Sequence, residues 1–339
     1  MDNQLRYNYV FFNTLDGHIY KDYPNGYYAI CAEELKDHPK IELVSAPLYY
    51  CPKVIRKIFA VHNSIRINNF ISLPFKNIWF PFYFRDKDKQ DLPYCFILLN
   101  HQISIAYLKY LKQRYPTCRI VVLHRDLAAV CNKVNPELSG NPIVDLEMTY
   151  DPRESRLYGW PYFSEFESKI DIFKSAEPES DVFFAGRAKG RLSDLLKAYE
   201  VCSKAGLKIF YYLTGVDKKD RNYLPGIIYA DKGMSYREML EHTVNTRCVL
   251  EINYGSAKGY TSRFLESVIY GKKLITNNAF IKESPFYSSN NIQYVPDMSL
   301  IDTDFITKQP AEANYHYNNE FSPINMIERV DEELCRKFK

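Results

Sequence analysis

Short runs of consecutive apolar residues recur along the first half of the chain, and between them apolar positions fall three and four apart. Tyr9-Val-Phe-Phe12, Ile41-Glu-Leu-Val44, Cys95-Phe-Ile-Leu-Leu99 and Arg119-Ile-Val-Val-Leu123 read as strands, each rich in β-branched, leucine or aromatic residues. Helical spacing separates them: one helix through Ala29, Ala32 and Leu35, a second opened by Pro52 with Val54, Ile55, Ile58 and Phe59, and a third from Ile103 to Tyr115. Strands alternating with helices predict a mostly parallel sheet covered on both faces, whose ligands gather at the carboxyl ends of the strands.

The pattern breaks around Tyr158-Gly-Trp-Pro-Tyr-Phe163, and an acidic stretch containing a proline runs from Glu165 to Glu179. It then restarts. Asp181-Val-Phe-Phe-Ala-Gly186 predicts a strand, Leu192 to Cys202 a helix and Lys208 to Leu213 the next strand. Ser235 followed by Glu238 is a capping box; strands at Arg247–Ile252, Leu274–Thr276 and Ile292–Val295 and a closing helix from Ser322 to Phe338 complete the half. The expected fold class is α/β, with two Rossmann-like, doubly wound domains. The expected division is a first domain over residues 1–165, a linker over 166–180, a second domain over 181–321, and a helix over 322–339 that packs back on the first domain. A length of 339 residues suits two cores.

Composition narrows the class. Hydrophobic residues at 46% and charged residues at 25% are those of a folded, soluble chain. No run approaches the roughly 18–20 apolar residues of a membrane span, and Met1-Asp-Asn-Gln-Leu-Arg6 has no signal-peptide core, so a cytoplasmic location is expected. The eight cysteines form no C-x-x-C pair and the seven histidines show no ligand spacing, so neither a metal nor a cofactor is expected. Net charge is +3, but residues 51–85 hold Lys53, Arg56, Lys57, Arg66, Lys76 and Arg85 with no acid, which leaves −3 for the remainder. Phe59, Phe70, Phe75, Trp79, Phe80, Phe82, Tyr83 and Phe84 interleave with those cations. The mixture suits the anionic inner face of a membrane or a lipid-linked acceptor; it also suits a half-buried helix whose cations snorkel. No nucleic-acid motif is present, and no nucleic-acid partner is expected.

The chemistry concentrates in the second half. Ser256-Ala-Lys-Gly-Tyr-Thr-Ser-Arg-Phe-Leu-Glu266 reads as a helix start built for an anion: Gly259 turns the backbone beside Tyr260, and Thr261 and Ser262 offer hydroxyls at the N-cap. Arg263 adds a fork of donors, and Glu266 lies three residues on, placed to accept from ribose hydroxyls. A second anion loop, Gly186-Arg-Ala-Lys-Gly-Arg191, leaves the strand before it with Arg187 and Lys189. Together the two loops could clamp a diphosphate. In the first half, Asp16, His18 and Asp22 follow the first strand and are candidate general bases, with His124 and Asp126 as second choices. Asp86-Lys-Asp88 fits a metal-binding Asp-x-Asp string or a solvated charged turn.

Residues 183–191 and 259–276 resemble the C-terminal half of bacterial GT-B glycosyltransferases that build lipopolysaccharide and capsule, galactofuranosyltransferase-like members among them. The resemblance implies two domains facing a cleft and transfer from a nucleotide-sugar, a UDP-sugar favoured, to a growing surface polysaccharide or lipid-linked glycan at the inner membrane face. It implies that Gly186, Arg187, Lys189, Ser256, Gly259, Tyr260, Thr261, Ser262, Arg263 and Glu266 hold the donor, and that Asp16 or His18 in the first domain is the base. Retaining members need an acid eight residues before Glu266, where this chain has Lys258, so inversion without a metal is expected. Two other readings stay open: a catalytically silent glycan- or nucleotide-binding subunit, and a metal-dependent GT-A transferase using Asp86 and Asp88.

Overall fold

In the computed structural model the described residues are 5–14, 24–45, 48, 51–63, 67, 70–71, 73–85, 91–99, 104–253, 259–308, 310 and 312–339. The chain divides into two units, one of residues 1–168 with 322–339 and one of 169–321.

The first unit is built on five parallel strands: β1 Asn8–Thr14, β2 Ile41–Ser45, β3 Tyr94–Leu99, β4 Arg119–His124 and β5 Leu146–Thr149, in the order β2-β1-β3-β4-β5. The central strand shows why apolar runs, not alternation, marked these strands. Cys95, Ile97 and Leu99 of β3 enter the core on one face, and Phe96 and Leu98 enter the core on the other. The closing helix Pro323–Lys337 belongs to this unit: Met326, Ile327, Val330 and Leu334 form its apolar stripe in the first of those cores. Its Asp331 accepts from Tyr9 Oη at 2.6 Å and from the Arg6 amide at 3.1 Å.

The helix expected through Ala29, Ala32 and Leu35 is two pieces, Tyr27–Ile30 and a 3₁₀ turn Glu33–Asp37. The carbonyl of Cys31 accepts from the amide and hydroxyl of Ser168, and the Leu35 amide turns to Ala32 O at 3.1 Å, so the helix does not run on. Of the four apolar positions expected on the next helix, Lys53–His62, Phe59 is buried and Ile55 half-buried, while Val54 and Ile58 face outward. Strand β5 and the helices Ala128–Val134 and Pro152–Tyr158 were not legible as periodic segments. The last of these is set by its cap, Asp151 accepting from the Arg153 amide at 2.8 Å ahead of Pro152 at the first turn.

The second unit carries six parallel strands: β6 Ser180–Arg187, β7 Ile209–Thr214, β8 Ile227–Ala230, β9 Thr246–Glu251, β10 Lys273–Thr276 and β11 Ile292–Tyr294, in the order β11-β10-β9-β6-β7-β8. The direction of strand addition reverses between β6 and β9. Crevices at such reversals, outside the carboxyl ends of the strands, are where doubly wound sheets bind ligands. The expected capping box is present, Glu238 N donating to Ser235 Oγ and Ser235 N to Glu238. Lys272 and Lys273 depart from the apolar pattern, both buried where β10 begins. Lys272 Nζ donates to Thr246 O at 3.1 Å and Lys273 Nζ to Phe305 O at 2.8 Å. Among the described residues no helix is long and apolar enough to cross a membrane.

Candidate functional site

The carboxyl ends of β6 and β9 carry most of the residues the sequence singled out. Gly186 sits at the end of β6 with φ +153°, a conformation open to glycine and strained for other residues. A Cβ there would lie 3.1 Å from Arg263 Nη2. Absence of a side chain therefore lets the guanidinium reach the strand, where Nη2 donates to Ala185 O with the group 5.2 Å from the Phe184 ring centroid.

Arg191, the last cation of the loop Gly186–Arg191, is the residue that joins the two strands. From the 3₁₀ turn Lys189–Arg191 its Nη1 donates to Ile252 O, just past β9, at 2.9 Å, and its Nη2 to Arg187 O, at the end of β6, at 2.6 Å. Its guanidinium lies 5.6 Å from the same Phe184 ring, and its buried Nε has no hydrogen-bond partner among the described residues. Burial, and then the nearby Arg263, lower its pKa.

The helix Ser262–Ile269 begins at the same edge. Thr261 is its N-cap, accepting from the Phe264 amide, and the Thr261 hydroxyl donates to Glu251, the last residue of β9. Thr276 of β10 donates to the second oxygen of Glu251, which is 2% exposed. Burial raises the pKa of that carboxyl, opposed by the two hydroxyls and by Arg263 and Arg191. The first-turn amides of Ser262 and Arg263 have no intrahelical acceptor and carry the positive end of the helix dipole. Gly259 O accepts from Asn278 Nδ2 at 3.1 Å, and the Tyr260 ring packs between Phe264 and Phe280 at centroid distances of 4.7 and 5.3 Å.

Glu266, the carboxylate expected to meet ribose hydroxyls, is buried in the helix Ser262–Ile269. It is 1% exposed and accepts from Tyr236 Oη at 2.9 Å; burial raises its pKa, against Arg263 and that hydrogen bond. Arg187 ends β6 with its side chain exposed, and Lys189 opens the turn that carries Arg191. Ser256, Lys258, Asp16, His18, Asp22, Asp86 and Asp88 lie outside the described residues.

Arg191 and Arg263 act on Glu251, and Arg263 on Glu266, two carboxyls whose burial disfavours their charged forms, while Arg187 at the end of β6 is exposed. The balance is cationic. Backbone donors at a helix start beside two guanidiniums fixed by carbonyls are groups that suit an anion.

In the first unit, His124 at the end of β4 is enclosed, stacked on Trp160 at 4.2 Å with Nε2 2.8 Å from Glu147 Oε2, while Asp126 is exposed. Arg125 between them, which the sequence reading passed over, is fixed by Glu165 (Nε to Oε2, 2.9 Å) and Tyr27 Oη (2.5 Å).

No protein-family model matches the chain, and no curated protein matches it. Solved structures do. The chain is similar to an α-glucosyltransferase in complex with UDP and a 13-mer DNA containing an HMU base, with TM-score 0.52, 11% identity, and 98% of this chain and 99% of that one covered. That likeness shows the fold, so the two parallel α/β sheets form a GT-B architecture. The chain is also similar to the GtfA/B complex (TM-score 0.42, 12% identity, 72% of this chain covered) and to the Glycosylation Associate Protein (Gap123) complex from Streptococcus agalactiae (TM-score 0.39, 11% identity, 72% covered). It spans 57% and 52% of the chains it matches there.

Proposed function

We propose that this chain is a glycosyltransferase that binds a nucleotide-sugar at the carboxyl ends of β6 and β9 and passes the sugar to a growing surface polysaccharide or lipid-linked glycan. The observation that carries the reading is the Arg191–Arg263 pair, two guanidiniums held over one Phe184 ring beside the Thr261-capped start of the helix Ser262–Ile269. A diphosphate supplies the negative charge that this arrangement lacks. A UDP-sugar is the favoured donor, since the α-glucosyltransferase of like fold was solved with UDP.

In this reading Arg263, Arg191, Arg187, Lys189 and the first-turn amides meet the charge that develops on the leaving diphosphate, and the reaction runs without a metal. Asp16, or His18 beside it, takes the proton from the acceptor hydroxyl as that oxygen displaces the nucleotide, inverting the anomeric carbon. Glu266 serves the donor only after exchanging its bond to Tyr236 for a ribose hydroxyl; otherwise it positions the helix. The enzyme works in the cytoplasm, at the inner membrane face where lipid-linked glycans are presented.

The test is release of nucleotide from a panel of sugar nucleotides, with and without glycan acceptor. Arg263→Ala should lower kcat/KM by about 10- to 150-fold, the value of a charged hydrogen bond of about 1.5–3 kcal/mol. Absence of release across the panel, or unchanged kinetics in the folded variant, contradicts the assignment.

A further inference from the structure

The segment rich in cations and aromatics in the first unit presents an apolar face that the fold leaves uncovered. The helix Lys53–His62 is anchored by Phe59, whose ring meets Trp79 at 5.3 Å and Tyr83 at 6.0 Å, and by His62, which accepts from Trp79 Nε1 at 2.8 Å. His62 Nε2 is 2.7 Å from Pro74 O, so the helix and the stretch from Pro74 to Tyr83 form one packed piece. What this piece turns outward is unusual. Val54, Ile58 and Val61, spaced four and three apart on one side of the helix, are 67%, 54% and 54% exposed. Phe75, Ile78 and Phe82 from the second stretch are exposed as well, Phe75 with φ +60°, a left-handed state that bulky side chains ordinarily avoid. Lys53 and Lys57, each the residue before one of the outward aliphatics, are exposed, and residues 51–85 contain no carboxylate.

We infer that this face docks on the surface of an anionic lipid bilayer, the aliphatic and phenyl groups entering the headgroup boundary and the lysines resting on lipid phosphates. Positive charge without any acid, set around large apolar side chains that gain nothing from water, matches such a surface in both respects. A nucleic acid answers the lysines but leaves Val54, Ile58 and Val61 in water. A second copy of the chain answers the apolar side chains but sets like charges against each other across the symmetric contact. Only for its purpose, bringing the enzyme to a lipid-linked acceptor, does the docking rest on the transferase reading.

Cosedimentation of the full chain with vesicles tests it, using equal parts phosphatidylglycerol and phosphatidylcholine against phosphatidylcholine alone, without donor or acceptor. Binding should require phosphatidylglycerol and weaken with salt. Lys53→Gln with Lys57→Gln should reduce it about 30-fold, about 5-fold per cation. Val54→Ser with Ile58→Ser should reduce it too, and both double variants, altered only at exposed positions, should melt with the parent. Equal binding to the neutral vesicles, no binding to either, or unchanged binding by both variants overturns the inference. So does a dimer in sedimentation that Val54→Ser with Ile58→Ser dissolves, or tighter binding to a single-stranded oligonucleotide than to the anionic vesicles. A UDP-induced rise in melting temperature, measured on the same preparation, reports the nucleotide site separately, so loss of one result does not disturb the other.

Discussion

Gly186→Ala is the perturbation whose outcome the geometry dictates in most detail. Two costs are built into it. At φ +153° any Cβ is strained, for about 1–3 kcal/mol, and the new methyl lies 3.1 Å from Arg263 Nη2, tighter than ordinary packing. The guanidinium must move by a few tenths of an ångström and weaken its bond to Ala185 O, which adds about 1 kcal/mol or more. At about 2–4 °C per kcal/mol for a domain of this size, melting should fall by roughly 5–15 °C. Gly206→Ala is the control, because φ there is +73° but nothing lies within 4 Å of the added Cβ. It should cost only the backbone term of about 1–2 kcal/mol and leave UDP affinity alone. Combining Gly186→Ala with Arg263→Ala removes the contact and leaves the strain, so the double variant should be about 1 kcal/mol more stable than the sum of the two losses. Melting curves and UDP titrations of the parent and the four variants decide the matter. Strict additivity, or Gly186→Ala behaving like Gly206→Ala in nucleotide binding, would refute the proposed role of glycine in seating Arg263.

Two buried groups make opposite predictions with pH. Burial holds the folded pKa of Glu251 above its ordinary 4.5, so the folded state binds the proton more tightly and stability falls as pH rises from 4.5 through the raised value. Glu251→Gln, which can still pair with Thr261 and Thr276, should flatten that decline in urea titrations run upward from pH 4.5, whereas Glu251→Ala should cost about 1–3 kcal/mol. Lys272, its pKa lowered from 10.5 to about 8 by burial and by Lys174, binds its proton less tightly when folded, so stability should rise between about pH 8 and 10.5. Lys272→Met should abolish that rise.

The sheets were legible because a strand covered on both faces needs apolar residues at every position, as Phe96 to Leu99 show, and periodicity reads that directly. Strand β5 escaped because Glu147 interrupts its run, and β10 looked shorter than it is because Lys273 hides its charge against the carbonyls of Phe305 and Ile306. The site was partly legible. Gly186, Thr261 and Arg263 announce themselves through turn and cap chemistry, which is local. Arg191 and Glu251 act through partners 61 and 10 residues away, Ile252 and Thr261, and only the strand order brings those groups together. Glu251 carried one signal that could have been used, a carboxylate at the end of an apolar strand. The bond between Tyr236 and Glu266 left none, because which way a buried carboxylate faces depends on the neighbouring helix.

Calorimetric titration of UDP and of uridine into the 339-residue chain tests the central claim most directly, since the two ligands differ by the diphosphate alone. The account predicts one UDP site much tighter than that for uridine, with the difference erased when Arg191→Gln and Arg263→Ala are combined in a folded protein. Equal affinity for the two ligands, or a UDP preference that survives loss of both guanidiniums, would contradict it.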